Sequence, residues 1–179
     1  MQVKQNPKGL DAQISQLFKD TFIDSEGVDE GLLIHDLARD LLSTTPPEDI
    51  RVFVATEDGT LCGTAIFTRL RFGDDPRIAF LLSPMAVATT RQGQGLGTQL
   101  LTDALNVLRR DGADIAVTYG DPAYYARVGF GPVTQDILPA PLPLSMPEGW
   151  IAQSLTDTPL TPLPGPSVCV PALARPDVW

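Results

Sequence analysis

The sequence predicts a mixed α/β fold, α+β-like, with an antiparallel first half. Three observations predict it. Two helical stretches come first, three strand-like runs joined by turns follow, and a glycine-rich loop then opens a further helix that leads into another strand. This is not the strict βαβ alternation of a doubly wound sheet. With 179 residues, 43% of them apolar, the chain suits one domain over residues 1–179 with a buried core.

Each element has its own warrant. Residues 11–23 space Ile14, Leu17, Phe18, Phe22 and Ile23 at helical intervals. The acidic stretch DSEGVDE reads as a loop, and a second helix over 30–43 aligns Leu33, Leu37, Leu41 and Leu42 before TTPPED stops it. RVFVATEDGTLCGTAIFTRLRF reads as a hairpin turning at EDG. IAFLLSPMAV is a fourth apolar run, and Ser83-Pro84 predicts a break or bulge in it because proline offers no ladder donor. After the glycines, Leu96, Leu100, Leu101, Ala104, Leu105 and Leu108 mark one helix face, ended by Arg109-Arg110-Asp111-Gly112. DIAVTYGD is a strand, and PAYYARVGF is a short helix running into an apolar segment. Ten of the 17 prolines lie from Pro139 onward, yet Trp150, Ile151, Leu155, Val168, Val170 and Trp179 are interspersed. Residues 139–179 are therefore expected to pack on the domain as an extension, with WIAQSL and SVCVPAL adding strand.

Composition narrows the function. A net charge of −9 and a pI near 4.4 argue against a nucleic-acid partner, which wants a basic face. The same acidity draws in a cationic substrate. The one histidine, His35, excludes a histidine-based zinc site and would have to carry any Ser-His-Asp triad alone. Cys62 and Cys169 read as separate buried thiols. No stretch approaches the ~18 apolar residues of a membrane span, and the N-terminus has no leader pattern, so no membrane partner and a cytoplasmic location are expected.

The chemistry centres on Arg91-Gln-Gly-Gln-Gly-Leu-Gly97. A glycine loop that opens a helix presents unpaired N–H groups and the positive end of the helix dipole to an anion. A P-loop would need a lysine that is absent here. A dinucleotide fingerprint needs GxGxxG, whereas Thr98 stands where its last glycine would fall. Asp121 sits well for a ribose-binding acid, but the antiparallel hairpin upstream does not supply the sheet that fingerprint belongs to.

Gln92-Gly93-Gln94-Gly95-Leu96-Gly97 resembles the Q/R-x-x-G-x-G/A motif of the GNAT superfamily of N-acetyltransferases. Val87-Ala88-Thr89 stands where members often read V-x-P. Downstream, Tyr124-Tyr125-Ala126-Arg127-Val128-Gly129-Phe130 resembles the family's Tyr-x-x-x-Gly-Phe box, in a GDPxYYxRxGF wording similar to a branch of mostly uncharacterised bacterial members. The resemblance spans roughly residues 10–135. It implies a central, mostly antiparallel sheet splayed at the fourth strand and flanked by helices. It also implies acetyl-CoA as acetyl donor, direct transfer to an amine, and no metal. Polyamine-like or aminoglycoside-like amines, amino acids and protein amines all stay open as acceptors, as does a homodimer.

Carried over residue by residue, the resemblance places the coenzyme pyrophosphate on Gln92, Gly93, Gln94, Gly95, Leu96, Gly97 and Thr98, and the pantetheine along Met85, Ala86 and Val87. Tyr125 corresponds to the acid that protonates the leaving thiolate; a phenol is a suitable donor. Members that carry a glutamate base on the fourth strand have no counterpart in RIAFLLSPM. The base is then a water held by Ser83 and backbone carbonyls, or one of Asp24, Glu26 and Glu30, with His35 a further candidate that reads more readily as a helix-surface or core histidine. A non-catalytic acyl-CoA sensor, and more distantly a nucleotide-dependent oxidoreductase using Asp121, are the alternatives.

Overall fold

The computed structural model describes the whole chain, Met1–Trp179. It divides into two compact units, Met1–Phe67 with Pro84–Ala104, and Thr68–Ser83 with Leu105–Trp179.

In the first unit, β1 (Gln2–Gln5), a strand that the sequence pattern does not announce, pairs antiparallel with β2 (Ile50–Glu57). Between them lie α1 (Asp11–Glu26) and α2 (Val28–Thr44). The stretch expected as an acidic loop is almost entirely helical. Gly27, at φ 102°, is the whole connection, and its N–H bonds the carbonyls of Phe22 and Ile23. So short a turn forces the helices close. A Cβ on Gly31 would lie 2.3 Å from the Ile23 side chain and 2.8 Å from the Lys19 carbonyl, so only glycine fits at that crossing. Ile14 and Phe18 of α1 and Leu37, Ala38 and Leu41 of α2 are buried. β2 turns into β3 (Thr60–Phe72) through Asp58 and Gly59, both at positive φ, as a tight two-residue hairpin requires.

In the second unit, the first half of β4 (Ala79–Val87) runs parallel to β5 (Ile115–Tyr119), from Ala79↔Ile115 to Leu82↔Thr118. Contrary to expectation, β4 is not interrupted at Ser83-Pro84: the extended backbone continues to Val87. What stops there is the pairing with β5, one residue before Ser83 and two before Pro84, which has no N–H to extend a ladder. α3 (Leu96–Arg110) precedes β5, and α4 (Pro122–Tyr125) with a 3₁₀ turn over Ala126–Val128 follows it.

The proline-rich tail supplies β7 (Trp150–Ser154), antiparallel to both β5 and the short β6 (Gly131–Pro132), and β8 (Ser167–Val168) against the end of β3. Strand order is β1-β2-β3-β4 through the first unit and β3-β4-β5-β7-β6 through the second. Trp150 anchors the tail: it is fully buried, and its Nε1 donates to the Leu138 carbonyl at 2.8 Å.

Candidate functional site

The glycine loop belongs to the first unit. β4 ends at Val87, a 3₁₀ turn covers Thr89–Arg91, and α3 starts at Leu96. The first helical hydrogen bond is Gln99 N to Gly95 O at 3.0 Å, so the N–H groups of Leu96, Gly97 and Thr98 lie ahead of the ladder. Gly93 and Gly95 adopt φ of 72° and 79°, which glycine tolerates without strain. A Cβ on either would meet nothing within 4 Å. The loop is therefore an open, exposed cradle of backbone at the N-terminus of a 15-residue helix. That geometry fits a pyrophosphate.

The loop is held from several sides. Thr89 Oγ1 donates to Asp24 Oδ2 at 2.6 Å, Arg91 forms an ion pair with Glu57, and Ala88 N donates to Cys62 O at 2.9 Å. The two glutamines expected to meet the coenzyme are braces as well. Gln92 Nε2 donates to Val87 O at 3.0 Å, its backbone N–H bonds Thr89 O, and Gln94 Nε2 reaches Thr90 O. Gly63 on β3 was not picked out by the sequence pattern. A Cβ there would lie 2.9 Å from Leu96 and 3.3 Å from Leu100, so its bareness lets the first turn of α3 lie against the strand. Ala86, Val87, Leu96 and Gly97 are buried, whereas Met85 and Thr98 are half-buried.

The tyrosine box lies in the second unit. Asp121, the residue suited to a ribose, instead caps α4 by accepting from Ala123 N at 2.9 Å. The Tyr125 ring packs edge-to-face with Tyr124 (5.1 Å) and Phe130 (5.7 Å). Its edge rests on Gly120: a Cβ there would stand 2.9 Å from Cε2. Gly129 reverses the chain at φ 97°, next to the Gln153 side chain from the tail. Burial of the phenol pushes the Tyr125 pKa up to about 12; a hydrogen bond with Thr118 opposes this, and the Tyr124 and Asp121 charges add to it. Tyr124 is raised less, with Arg127 lying over its ring. A phenol so placed keeps its proton at neutral pH.

The remaining candidates sort themselves. Ser83 is half-buried on β4. Asp24 is engaged by Thr89. Burial, then the neighbouring Glu26, raises the pKa of the Glu30 carboxyl. His35 pairs with Asp36 on α2 at 3.1 Å. Cys62 and Cys169 are buried free thiols. No group of three or more His, Cys, Asp or Glu side chains gathers at a place where a metal could bind, and no helix is long and apolar enough to cross a membrane.

Comparison with known proteins matches residues 48–132 to the model of an acetyltransferase (GNAT) domain. The uncharacterized N-acetyltransferase YjhQ of Escherichia coli (strain K12) is 33% identical over 131 residues, 70% of this chain and 72% of that protein. The crystal structure of the GNAT family N-acetyltransferase YhbS from Escherichia coli, in complex with CoA, superimposes with a TM-score of 0.78 at 28% identity, covering 97% of this chain and 92% of that one. A GNAT family acetyltransferase from Brucella melitensis in complex with acetyl-CoA gives a TM-score of 0.69 at 25% identity, covering 96% of each chain.

Proposed function

The chain belongs to the GNAT acetyltransferase family, and from that premise we propose that it moves acetyl from acetyl-CoA directly to an amine, with the residues named above in the following roles. The observation that carries the reading is the open Gly93–Gly95 cradle at the start of α3. Backbone N–H groups from Gly93 to Thr98 bind the pyrophosphate. Gln92 and Gln94 hold the loop in shape. The N–H groups of Met85 and Val87 bind the pantetheine amides as a strand would.

Acetyl-CoA supplies an activated acyl thioester. The amine gives up a proton, its nitrogen forms the new bond to the acetyl carbon, and the carbon–sulfur bond breaks. Tyr125 gives its proton to the departing sulfur. Ser83, with backbone carbonyls, holds the water that takes the amine proton. The acceptor is a small-molecule or peptide amine.

Thermal shift with acetyl-CoA, followed by free-thiol release over a panel of amines, tests the reading. Acetyl-CoA is expected to raise the melting temperature, NAD is not, and thiol release is expected to require an amine. Binding without turnover on any amine would favour an acyl-CoA sensor.

A further inference from the structure

The hydroxyl of Thr89 donates to Asp24 Oδ2 at 2.6 Å and so joins two residues 65 apart in the chain, both in the first unit. A hydroxyl-to-carboxylate bond of this length is charge-assisted, and such bonds are about twice as strong as neutral ones. Asp24 lies exposed in the last turn of α1, which carries no basic residue. An acid there opposes the helix dipole, so the helix itself gains nothing from it. Its place is nevertheless well held. The side chain of Ile23, its neighbour, lies against Gly31 of α2, and the carbonyls of Phe22 and Ile23 accept the N–H of Gly27.

Thr89 opens the 3₁₀ turn Thr89–Arg91, by which the chain leaves β4 and enters the glycine loop. The Thr89 carbonyl accepts the Gln92 N–H at 3.3 Å, and the Ala88 carbonyl accepts the Arg91 N–H at 2.7 Å. The bond to Asp24 therefore ties to α1 the turn from which the cradle starts.

Thr89 also stands where the V-x-P pattern has a proline, whose ring fixes φ. The backbone here keeps room for that ring. Ala88 has ψ 132°, clear of the helical region that a following proline disfavours, and Thr89 is the first residue of its turn, where a proline N–H is not missed. Threonine gives up the constraint of the ring, and the bond to Asp24 supplies one from outside the loop.

We propose that Asp24 is a positioning residue for the coenzyme, holding through Thr89 the turn at which the glycine loop leaves β4. This rests on that loop being the coenzyme cradle. In this role Asp24 acts on the loop and not on a phosphate. Its charge taken alone repels a phosphate, so tether and charge predict opposite results when the carboxylate is removed.

The test removes the bond from either side. Thr89→Val keeps the shape and loses the hydroxyl, Thr89→Ser keeps the hydroxyl, and Asp24→Ala removes the acceptor. By calorimetry, Thr89→Val and Asp24→Ala are each expected to bind acetyl-CoA about three- to ten-fold more weakly, and the double variant no worse than either alone. Thr89→Ser should match wild type. With an amine that turns over, the loss should appear in the KM for acetyl-CoA while kcat holds. Thr89→Pro supplies the constraint covalently, so it should bind like wild type and make Asp24→Ala silent in its background.

A readout without coenzyme is amide exchange by NMR at Arg91 and Gln92, whose N–H groups close the turn. Exchange should quicken in Thr89→Val and Asp24→Ala and stay at the wild-type rate in Thr89→Ser. Unchanged exchange overturns the positioning role. So does tighter binding of acetyl-CoA by Asp24→Ala, or losses in the single variants that add in the double. A fall in kcat for Asp24→Ala that Thr89→Val does not share makes Asp24 the base and overturns it too. If Thr89→Pro does not fold, the double-variant comparison decides. Wild-type protein that binds no acetyl-CoA overturns the coenzyme cradle, and this inference with it.

Discussion

At the scale of the residue, two adjacent tyrosines differ by their surroundings rather than their chemistry. Tyr125 has its ring edge on Gly120 and packs edge-to-face with Tyr124 and Phe130, while Tyr124 lies under Arg127. Tyr125→Phe keeps the ring and is expected to lower kcat by roughly 10²–10⁴-fold with acetyl-CoA affinity intact. Tyr124→Phe should lose far less; steady-state kinetics beside coenzyme dissociation constants checks both. The pKa adds a second expectation. The folded phenol holds its proton to about pH 12, while the unfolded one releases it near 10. The folded state therefore binds more protons between these values. The stability this contributes is full below pH 10 and lost as pH rises through 12. Between pH 10 and 12 the melting temperature of Tyr125→Phe should fall less steeply than that of wild type.

At the scale of the element, the glycine loop has a backbone that is bare on one side and braced on the other. Gly95→Glu would put a side chain and a negative charge over the N–H groups and strain a backbone at φ 79°. Acetyl-CoA binding by calorimetry is expected to collapse while the circular dichroism spectrum persists. Gly63→Ala attacks the same element from beneath. Its methyl would press the Leu96 side chain from 2.9 Å and that of Leu100 from 3.3 Å, so these side chains must repack under the first turn of α3. Stability should drop by about 1–3 kcal/mol, as overpacking does, with weaker coenzyme binding and unchanged chemistry once bound. An alanine variant with wild-type melting and affinity would show that the turn adjusts freely.

At the scale of the whole molecule, charge and the tail are the informative features. The α1–α2 hairpin carries eight of the acids against Lys19 and Arg39, so it holds most of the net charge of −9. A cationic amine should be steered by that field. Its kcat/KM should then fall as salt rises, because exposed charges are screened over about 8–10 Å at moderate ionic strength. A rate that salt leaves unchanged would count against steering. The tail is tied down by Arg77, which meets Asp75 through two bonds of 2.8 Å and the carbonyls of Thr161 and Pro162. Arg77 holds the Asp75 carboxyl down at about 2, from 3.8. The stability this pair contributes is full above pH 4 and lost as pH falls through 2. Asp75→Asn should cost about 1 kcal/mol at neutral pH, or about 2–4 °C in melting temperature, and less towards pH 2.

The sequence by itself determined the family, the helix over residues 11–23, the hairpin at Asp58-Gly59, the glycine loop at Gly93–Gly97 and the box around Tyr125. Each is written locally, in the period of apolar residues or in glycines that a backbone conformation demands. Only the tertiary structure decided the rest. It made DSEGVDE helical around Gly27, because Gly31 let α2 lie on α1. It carried β4 through Pro84 to Val87, because a strand survives a missing donor once pairing on that side has ended. It turned the Gln92 and Gln94 amides back onto the Val87 and Thr90 carbonyls as braces, and it set Gly63 under Leu96 and Gly120 under Tyr125. These contacts join residues distant in the chain or on separate turns. Their strength depends on distances of a few tenths of an ångström, which no periodicity or motif records.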